Sequence, residues 1–318
     1  MKKTLKTLLL TLLFFIALAL FSNVKANSIA SPQRQRTRII IMSSILSPIF
    51  IYITFKILFT VSSTDNKFNL GITKNELKRN TFYFRDIPCV NIYKAYFLAY
   101  KGDLLKNKTD ILGAIILKWI KDDIVKIQNI NNKISIVLLE TDTSKITNNK
   151  EFDLYEMFAQ ASMDGILENK EFESWCITNY NKILGWFDEL IKSEQKNLIS
   201  SGDIILEEKK SMYNFQPSLT EELRQISGLK NYLIDYTLIK DREAIEVHLF
   251  EEYLIYAQML GIANQVAKQF KQLYPNIIIE TSFLSYNSLL DVNTWCTNSI
   301  ETANTAKLKA ENNQSNNF

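Results

Sequence analysis

Glycine and histidine are scarce in this sequence, and each scarcity excludes a class of site. The 318 residues include only eight glycines. The two closest, Gly102 and Gly113, are eleven positions apart, so the chain has no glycine-rich phosphate loop of the G-x-G-x-x-G or Walker type. The one histidine, His248, cannot build a usual zinc cluster. It could act as a base, but its place inside an apolar helix pattern favours a structural role.

Cysteine is also scarce, and the acidic residues that stand side by side are not spaced to converge on one site. Cys89, Cys176 and Cys296 lie far apart without a C-x-x-C pair, which indicates neither a disulfide framework nor a zinc site and fits a reducing compartment. We expect all three to be small buried hydrophobic residues. Acidic doublets such as Glu251-Glu252 diverge by about 100° on a helix and do not converge. The sequence therefore predicts a protein that is not an enzyme, with no catalytic, cofactor-binding or metal-binding residues and no cofactor.

Acidic residues are absent from the first 61 residues of the chain. Residues 1–61 carry eight basic residues and no acidic residue, whereas residues 62–318 carry 29 basic and 34 acidic residues, a net charge of −5. Affinity for nucleic acid comes largely from neutralising phosphates. Nucleic acid is therefore an unlikely partner of the acidic part, although a local patch could still bind it.

The N-terminal residues carry the pattern of a secretory signal followed by a membrane span. Lysines precede an apolar run over residues 8–21, and Val24-Lys25-Ala26 supplies small residues for cleavage after Ala26. Residues 1–26 are thus predicted as a signal peptide or, if uncleaved, a first membrane segment. Residues 27–38 form a short basic loop. Residues 39–61 are long and apolar enough for a transmembrane helix, whose partner is the lipid bilayer.

These segments predict a cell-membrane protein with its soluble part in the cytoplasm. The chain crosses the membrane once, or twice if the first segment stays uncleaved. Arg34, Arg36 and Arg38 would then lie on the outer side, against the tendency of basic loop residues to stay inside. The inverted topology therefore remains an alternative.

The soluble part reads as mainly α with short β-hairpins, an α+β fold. Residues 62–87 are a polar juxtamembrane connector. Residues 88–148 predict a winged-helix-like unit, with helices over residues 92–100 and 110–121 and a hairpin of residues 124–128 and 133–140.

A second helical unit, possibly winged-helix-like, is predicted over residues 149–216. It contains a helix over residues 152–161, a turn at Asp164-Gly165 and one long helix over residues 170–198. A strand over residues 203–208 is possible as a wing.

Residues 217–290 are predicted as a C-terminal helical region. One helix begins at Pro217, and a long amphipathic helix covers residues 246–274 up to Pro275. The polar residues 291–318 are predicted to be a disordered tail.

The last long helix carries a recognisable pattern. Tyr253-Leu254, Tyr256-Ala257 and Leu260-Gly261 resemble the C-terminal signature of an uncharacterised bacterial family of predicted membrane proteins, domain of unknown function 2207. The segment 228–235 and residues 87–127 are similar to the family's neighbouring cytoplasmic segments, so the resemblance covers about residues 80–280. It implies a cytoplasmic helical region and brings no catalytic residues. The family's usual outer domain has no counterpart between the predicted cleavage site and the span.

Two functions remain open from the sequence. The first is a non-catalytic scaffold or protein-interaction module at the inner face of the membrane, with an unknown protein partner. The alternative is a membrane-tethered winged-helix regulator that binds nucleic acid. Its candidate recognition helix, residues 110–121, offers only Lys118 and Lys121 as bases, whereas groove recognition normally uses several polar side chains.

Overall fold

The computed structural model describes residues 67–79, 81–89, 91–130, 133–139, 145–235, 249–273 and 286–315. The predicted signal peptide 1–26, basic loop 27–38 and transmembrane helix 39–61 lie outside these residues, as does His248. Within the described ranges, no helix has both the length and the apolarity of a bilayer span. All of these described residues belong to one compact unit.

Helices form most of this unit, and two small sheets complete it, which confirms the predicted α+β class. The α-helices are α1 (Lys74–Arg79), α2 (Ile92–Lys101), α3 (Ile111–Lys121), α4 (Asn149–Ala161), α5 (Asn169–Thr178), α6 (Tyr180–Ser200), α7 (Pro217–Ile234), α8 (Phe250–Met259), α9 (Ala263–Leu273) and α10 (Tyr286–Ser315). The strands are β1 (Lys67–Asn69), β2 (Val125–Ile130), β3 (Lys133–Leu138), β4 (Ile166–Glu168), β5 (Ile204–Glu207) and β6 (Met212–Phe215).

The first predicted helix pair and its hairpin are present. The Asn91 side chain accepts hydrogen bonds from the backbone N–H groups of Tyr93 and Lys94, which fixes the start of α2. Strands β2 and β3 pair antiparallel from Val125 opposite Leu138 to the closing end of the hairpin. That residues 88–148 form a winged-helix-like unit stays a prediction.

The hairpin β2–β3 and the antiparallel pair β5–β6 each gain a third strand from another part of the chain. Strand β4 pairs antiparallel with β3, giving the order β2-β3-β4. Strand β1 pairs parallel with β6, giving the order β1-β6-β5. The boundaries predicted at 87/88 and 148/149 therefore cut through both sheets, and the predicted connector 62–87 contributes a strand and a helix to the folded unit.

Two predicted helices are wrong as single elements. The helix predicted over residues 170–198 is interrupted at Asn179, whose φ of −113° and ψ of 26° leave the helical region between α5 and α6. The helix predicted over residues 246–274 turns at Gly261, where φ is +75°. A side chain there would lie 2.4 Å from the Lys106 Cβ, so the close approach requires glycine.

The disordered tail predicted over residues 291–318 is also wrong over its described residues, which continue α10 to Ser315. Its apolar residues recur at helical spacing and are buried, namely Val292, Trp295, Cys296, Ile300 and Ala303. Most of the polar residues that suggested disorder lie on the other faces of the helix, whereas Ser299 is buried with the apolar residues. One apolar face is enough to hold α10 against α5 and α6.

Helix α3 is the centre of the core. From Ile111 to Ile120 its residues are buried except Lys118, and α8 packs along it. Gly113 allows this contact, because a Cβ there would meet the Gln258 side chain at 2.7 Å. The predicted recognition helix is therefore covered by the rest of the protein.

Candidate functional site

The three cysteines do not form a reactive centre. All are buried and free, as the sequence predicted. Burial raises the pKa of each thiol, to about 12 for Cys89 and Cys176. The thiolate is the reactive form of cysteine. These side chains therefore remain neutral at physiological pH.

One buried carboxylate joins two helices through charged and aromatic donors. Glu151, in the first turn of α4, is 1% exposed. Its Oε1 accepts hydrogen bonds from Lys118 Nζ at 2.9 Å and from Trp119 Nε1 at 2.7 Å. Lys118 also lies 3.0 Å from an Asp122 carboxylate oxygen. We call Lys118, Trp119 and Glu151 the Trp119 junction. Its two donors bind an acceptor of the same protein, so the junction stabilises the contact between α3 and α4.

A second charged cluster connects α2, α6 and α7. Lys94 Nζ lies 2.8 and 2.6 Å from the two carboxylate oxygens of Glu222. The Cys89 thiol donates to the same carboxylate at 3.5 Å. Glu194, buried at 4% exposure, accepts from the Asn197 side chain at 3.2 Å. Burial raises the pKa of Glu194. With its thiol neutral and its lysine paired, this cluster offers no nucleophile.

The loop between α4 and α5 carries part of a calcium-loop spacing. Asp164 and Gly165 precede Glu171 by the intervals that such a loop requires, and Gly165 has φ +83°. The first two ligand positions, however, hold Gln160 and Ser162, and the Glu171 carboxylate accepts from the backbone at the start of α5. Among the described residues, no group of three or more His, Cys, Asp or Glu side chains is placed to hold a metal ion. The loop therefore acts as a turn and helix start.

A concave surface lies between α5 and α10 and begins beside the start of β3. Two adjoining cavities of about 570 and 450 Å³ form it and share Glu173 and Asn298. We call it the α5/α10 groove. Its lining residues are Lys133, Ile134, Ser135, Glu168, Asn169, Lys170, Glu173, Ile177, Asp291, Thr294, Trp295, Asn298, Glu301, Thr302, Thr305, Ala306 and Lys309. Four carboxylates and three lysines nearly balance in charge.

Trp295 forms part of the groove wall and is held by aromatic packing. Its ring stacks on Phe172 with centroids 4.9 Å apart and planes 6° apart, and it lies 5.5 Å from Phe158. The residue is only 3% exposed. Its Nε1 has no hydrogen-bond partner among the described residues.

Asn169, the first residue of α5, also lines the groove and carries a second unpartnered atom. Its Nδ2 donates to Glu173 Oε1 at 2.6 Å, which fixes the orientation of the amide. The opposite Oδ1 is buried and has no donor among the described residues. Both atoms are enclosed by the protein itself, as are the unpartnered hydroxyls of Tyr93 and Ser162 and the amide oxygen of Gln269 elsewhere in the described residues.

Sequence reasoning predicted neither Trp295 nor Asn169 as a site residue. The spacing of Val292, Cys296 and Ile300 is the one signal that could have placed Trp295 on a buried helix face. Nothing in the sequence shows that its indole N–H lacks an acceptor, because that depends on contacts between α10 and α5.

Residues 198–270 match the model of a family described as Predicted membrane protein (DUF2207) C-terminal domain. The match confirms the resemblance over that range and supports a membrane localisation; the family is uncharacterised. Comparison with curated proteins and with solved structures gave no match. The matched range contains β5, β6, α7 and α8, whereas the groove residues lie outside it.

Proposed function

We propose that this chain is a non-catalytic protein-interaction module held at the membrane, and that the α5/α10 groove is its binding surface. The observation that carries the proposal is the groove itself. It is a concave surface lined by side chains of both charge signs and by Ile177, which is 55% exposed. The charged clusters of the interior, by contrast, pair among themselves.

The membrane arrangement is part of this proposal. Residues 39–61 would span the bilayer once after a signal peptide of residues 1–26, and the folded unit would lie in the cytoplasm. Paired reporter fusions after residue 70 and at the C-terminus test this. Reporters that work only inside the cell should be active at both points. Activity of reporters that work only outside would contradict the topology.

Binding of nucleic acid is not the function that we propose. The predicted recognition helix corresponds to α3, whose surface is buried in the core. Major-groove recognition needs a helix whose side chains reach the bases. The nearly balanced charge of the α5/α10 groove does not suit a phosphate backbone either.

Site-specific photocrosslinking in native membranes tests the binding surface. A photoreactive phenylalanine analogue replaces Ile177, which lines the groove and is 55% exposed. The matched control carries it at Ile205, which is 51% exposed on β5. We expect a discrete adduct from position 177 alone, and we expect Asn298→Arg, which fills the groove, to remove it. No adduct at 177, or identical adducts at both positions, would refute the proposed surface.

A further inference from the structure

A separate polar cavity of about 420 Å³ lies between the turn before α3, the turn between α8 and α9, and α10. Its volume falls within the range of small-molecule sites, which is about 300–1,000 Å³. It shares no lining residue with the α5/α10 groove. We call it the Asp110 cavity.

Asp110 supplies this cavity with a carboxylate that has no cationic partner among the described residues. Its oxygens accept from the Asn107 backbone N–H at 3.1 Å and from the Asn107 side chain at 3.2 and 3.3 Å. Burial raises the pKa of this carboxyl group, against the opposing effects of the Asn107 hydrogen bonds and of the Lys106 charge. A carboxylate can accept further hydrogen bonds at its remaining lone pairs, so the group is available to a cation.

Gln258, in the last turn of α8, brings a second acceptor to the cavity. The residue is 3% exposed, and its side chain packs against Gly113 of α3. Its Nε2 donates to Asn293 Oδ1 at 3.2 Å, which leaves Oε1 as the atom for a donor. Oε1 accepts no hydrogen bond from the described residues and is not one of their enclosed unpartnered atoms. The amide oxygen of a buried side chain thus stays accessible, and the Asp110 cavity is the one that Gln258 lines.

The opposite charge comes from Lys106 and from the start of α9. Lys106 has no ion-pair partner among the described residues, and its side chain lies against the turn at Gly261. A Cβ at position 261 would lie 2.6 Å from Asp110 Oδ2, so glycine allows both charged side chains to approach this turn. The backbone N–H groups of Ala263 and Asn264, which open α9, have no acceptors among the described residues. Such groups at the start of a helix bind carboxylates and other anions.

We propose that the Asp110 cavity binds a free α-amino acid as its zwitterion. The ligand ammonium donates to Asp110 and Gln258, and the ligand carboxylate accepts from Lys106 and the first turn of α9. A lone anion would meet the Asp110 carboxylate, and a lone cation would meet the Lys106 ammonium. A calcium ion takes about six to eight oxygen ligands, whereas this cavity has one carboxylate. The inference is independent of the α5/α10 groove and of a protein partner there.

A panel of the standard amino acids is the probe for this site. A ligand that binds the folded state raises its unfolding temperature, so thermal unfolding of the full chain in lipid nanodiscs selects the best one. Calorimetry then measures its Kd. We expect Asp110→Asn and Lys106→Gln each to weaken binding about tenfold or more, because each removes a hydrogen bond between charged groups. The matched controls, Asp153→Asn and Lys192→Gln, change surface ion pairs outside the cavity and should leave Kd unchanged.

Two altered ligands assign each charge to its partner. The amide of the best amino acid lacks the carboxylate, so Lys106→Gln should not weaken its binding further, whereas Asp110→Asn should. The N-acetylated amino acid lacks the ammonium and should show the reverse dependence. If Asp110→Asn fails to fold, the exposed Lys106→Gln and these ligands still decide the question.

Three results would overturn the inference. They are no rise in unfolding temperature with any amino acid, equal Kd for wild type and Asp110→Asn, and binding of either altered ligand as tightly as the amino acid. An increase with calcium chloride that depends on Asp110 would overturn it too, in favour of a metal ion. Loss of the adduct at Ile177 with amino-acid binding intact would refute the groove and leave this site standing.

Discussion

The Trp119 junction and the α5/α10 groove place the same chemical group in nearly the same degree of burial. Trp119 is 0% exposed and Trp295 is 3% exposed, and both rings pack against Phe158. They differ in one contact: the Trp119 indole N–H has a carboxylate partner, whereas the Trp295 indole N–H has no partner among the described residues. The same degree of burial is therefore found with a satisfied indole N–H and with an unsatisfied one.

The largest effect should come from removing the carboxylate of the junction. Glu151→Ala leaves the buried Trp119 indole N–H without its acceptor and leaves Lys118 with Asp122 as its remaining partner among the described residues. Because hydrogen bonds to charged groups contribute about 1.5–3 kcal/mol each, losing both should lower the free energy of unfolding by about 3–5 kcal/mol. Thermal unfolding of the full chain in nanodiscs measures the loss. Glu156→Ala, an exposed glutamate on the same helix, is the control and should change little; a small loss for Glu151→Ala would remove the basis of the comparison.

The second effect tests the indole itself. Trp119→Phe keeps an aromatic ring next to Tyr155 and Phe158 but deprives Glu151 Oε1 of one of its two donors. Hydrogen bonds to charged groups contribute about 1.5–3 kcal/mol. We expect a decrease of that order in the free energy of unfolding. An unchanged unfolding temperature would mean that the indole contributes little to the junction beyond its ring.

A third prediction extends the comparison to buried carboxylates. Glu194 has one amide donor where Glu151 has two stronger donors. Burial raises the folded-state pKa of Glu194 above its ordinary value of 4.5, so its contribution to stability is present below about pH 4.5 and is lost as the pH rises through the folded pKa. The uncharged Glu194→Gln should therefore be more stable than wild type at pH 7, by about 1 kcal/mol at most.

The pH dependence is the distinctive part of that prediction. The advantage of Glu194→Gln should shrink as the pH falls towards 4.5. Unfolding temperatures of both proteins between pH 4 and pH 8 measure it. A constant difference across this range would show that ionisation of Glu194 is not its cause.

The smallest effect is expected in the groove. Trp295→Phe retains stacking on Phe172 and removes a donor that has no acceptor in the described fold. Loss of the second ring opens a void in both tryptophan variants, so Trp295→Phe should lower the free energy of unfolding by about 1.5–3 kcal/mol less than Trp119→Phe does. The contrast with Trp119→Phe is the informative measurement, because both variants make the same chemical change. Equal losses would indicate that an internal acceptor serves Trp295 as well.

The sequence predicts those parts of the fold that local patterns determine. Helices α2 and α3 and the β2–β3 hairpin follow from apolar spacing and turn residues close to one another in the chain. The buried state of the three cysteines likewise follows from residue type. Strand β4 was missed because three residues are too few for an alternating pattern, and its partner β3 comes from a different predicted unit.

The groove depends on contacts that the sequence does not encode locally. In the sequence, Gly261 belongs to the Leu260-Gly261 part of the family pattern. Its positive φ, which divides the predicted helix in two, is not evident from that pattern. Polar residues between Thr297 and Ser315 outweighed the apolar ones, so α10 was predicted as a disordered tail. Without α10 there is no groove, and the unpartnered Trp295 could not be predicted.

The parallel pairing of β1 with β6 has a consequence for synthesis of the chain. Lys67 pairs with Met212, so β1 leaves the ribosome 145 residues before its partner. At translation rates of about 5–20 residues per second, β1 waits roughly 7–30 s for β6. During that interval Phe68 lacks Tyr213 and Phe215, the rings against which it packs in the finished sheet. The order of synthesis thus leaves this strand available to chaperones, or to incorrect pairing, until β6 has been made.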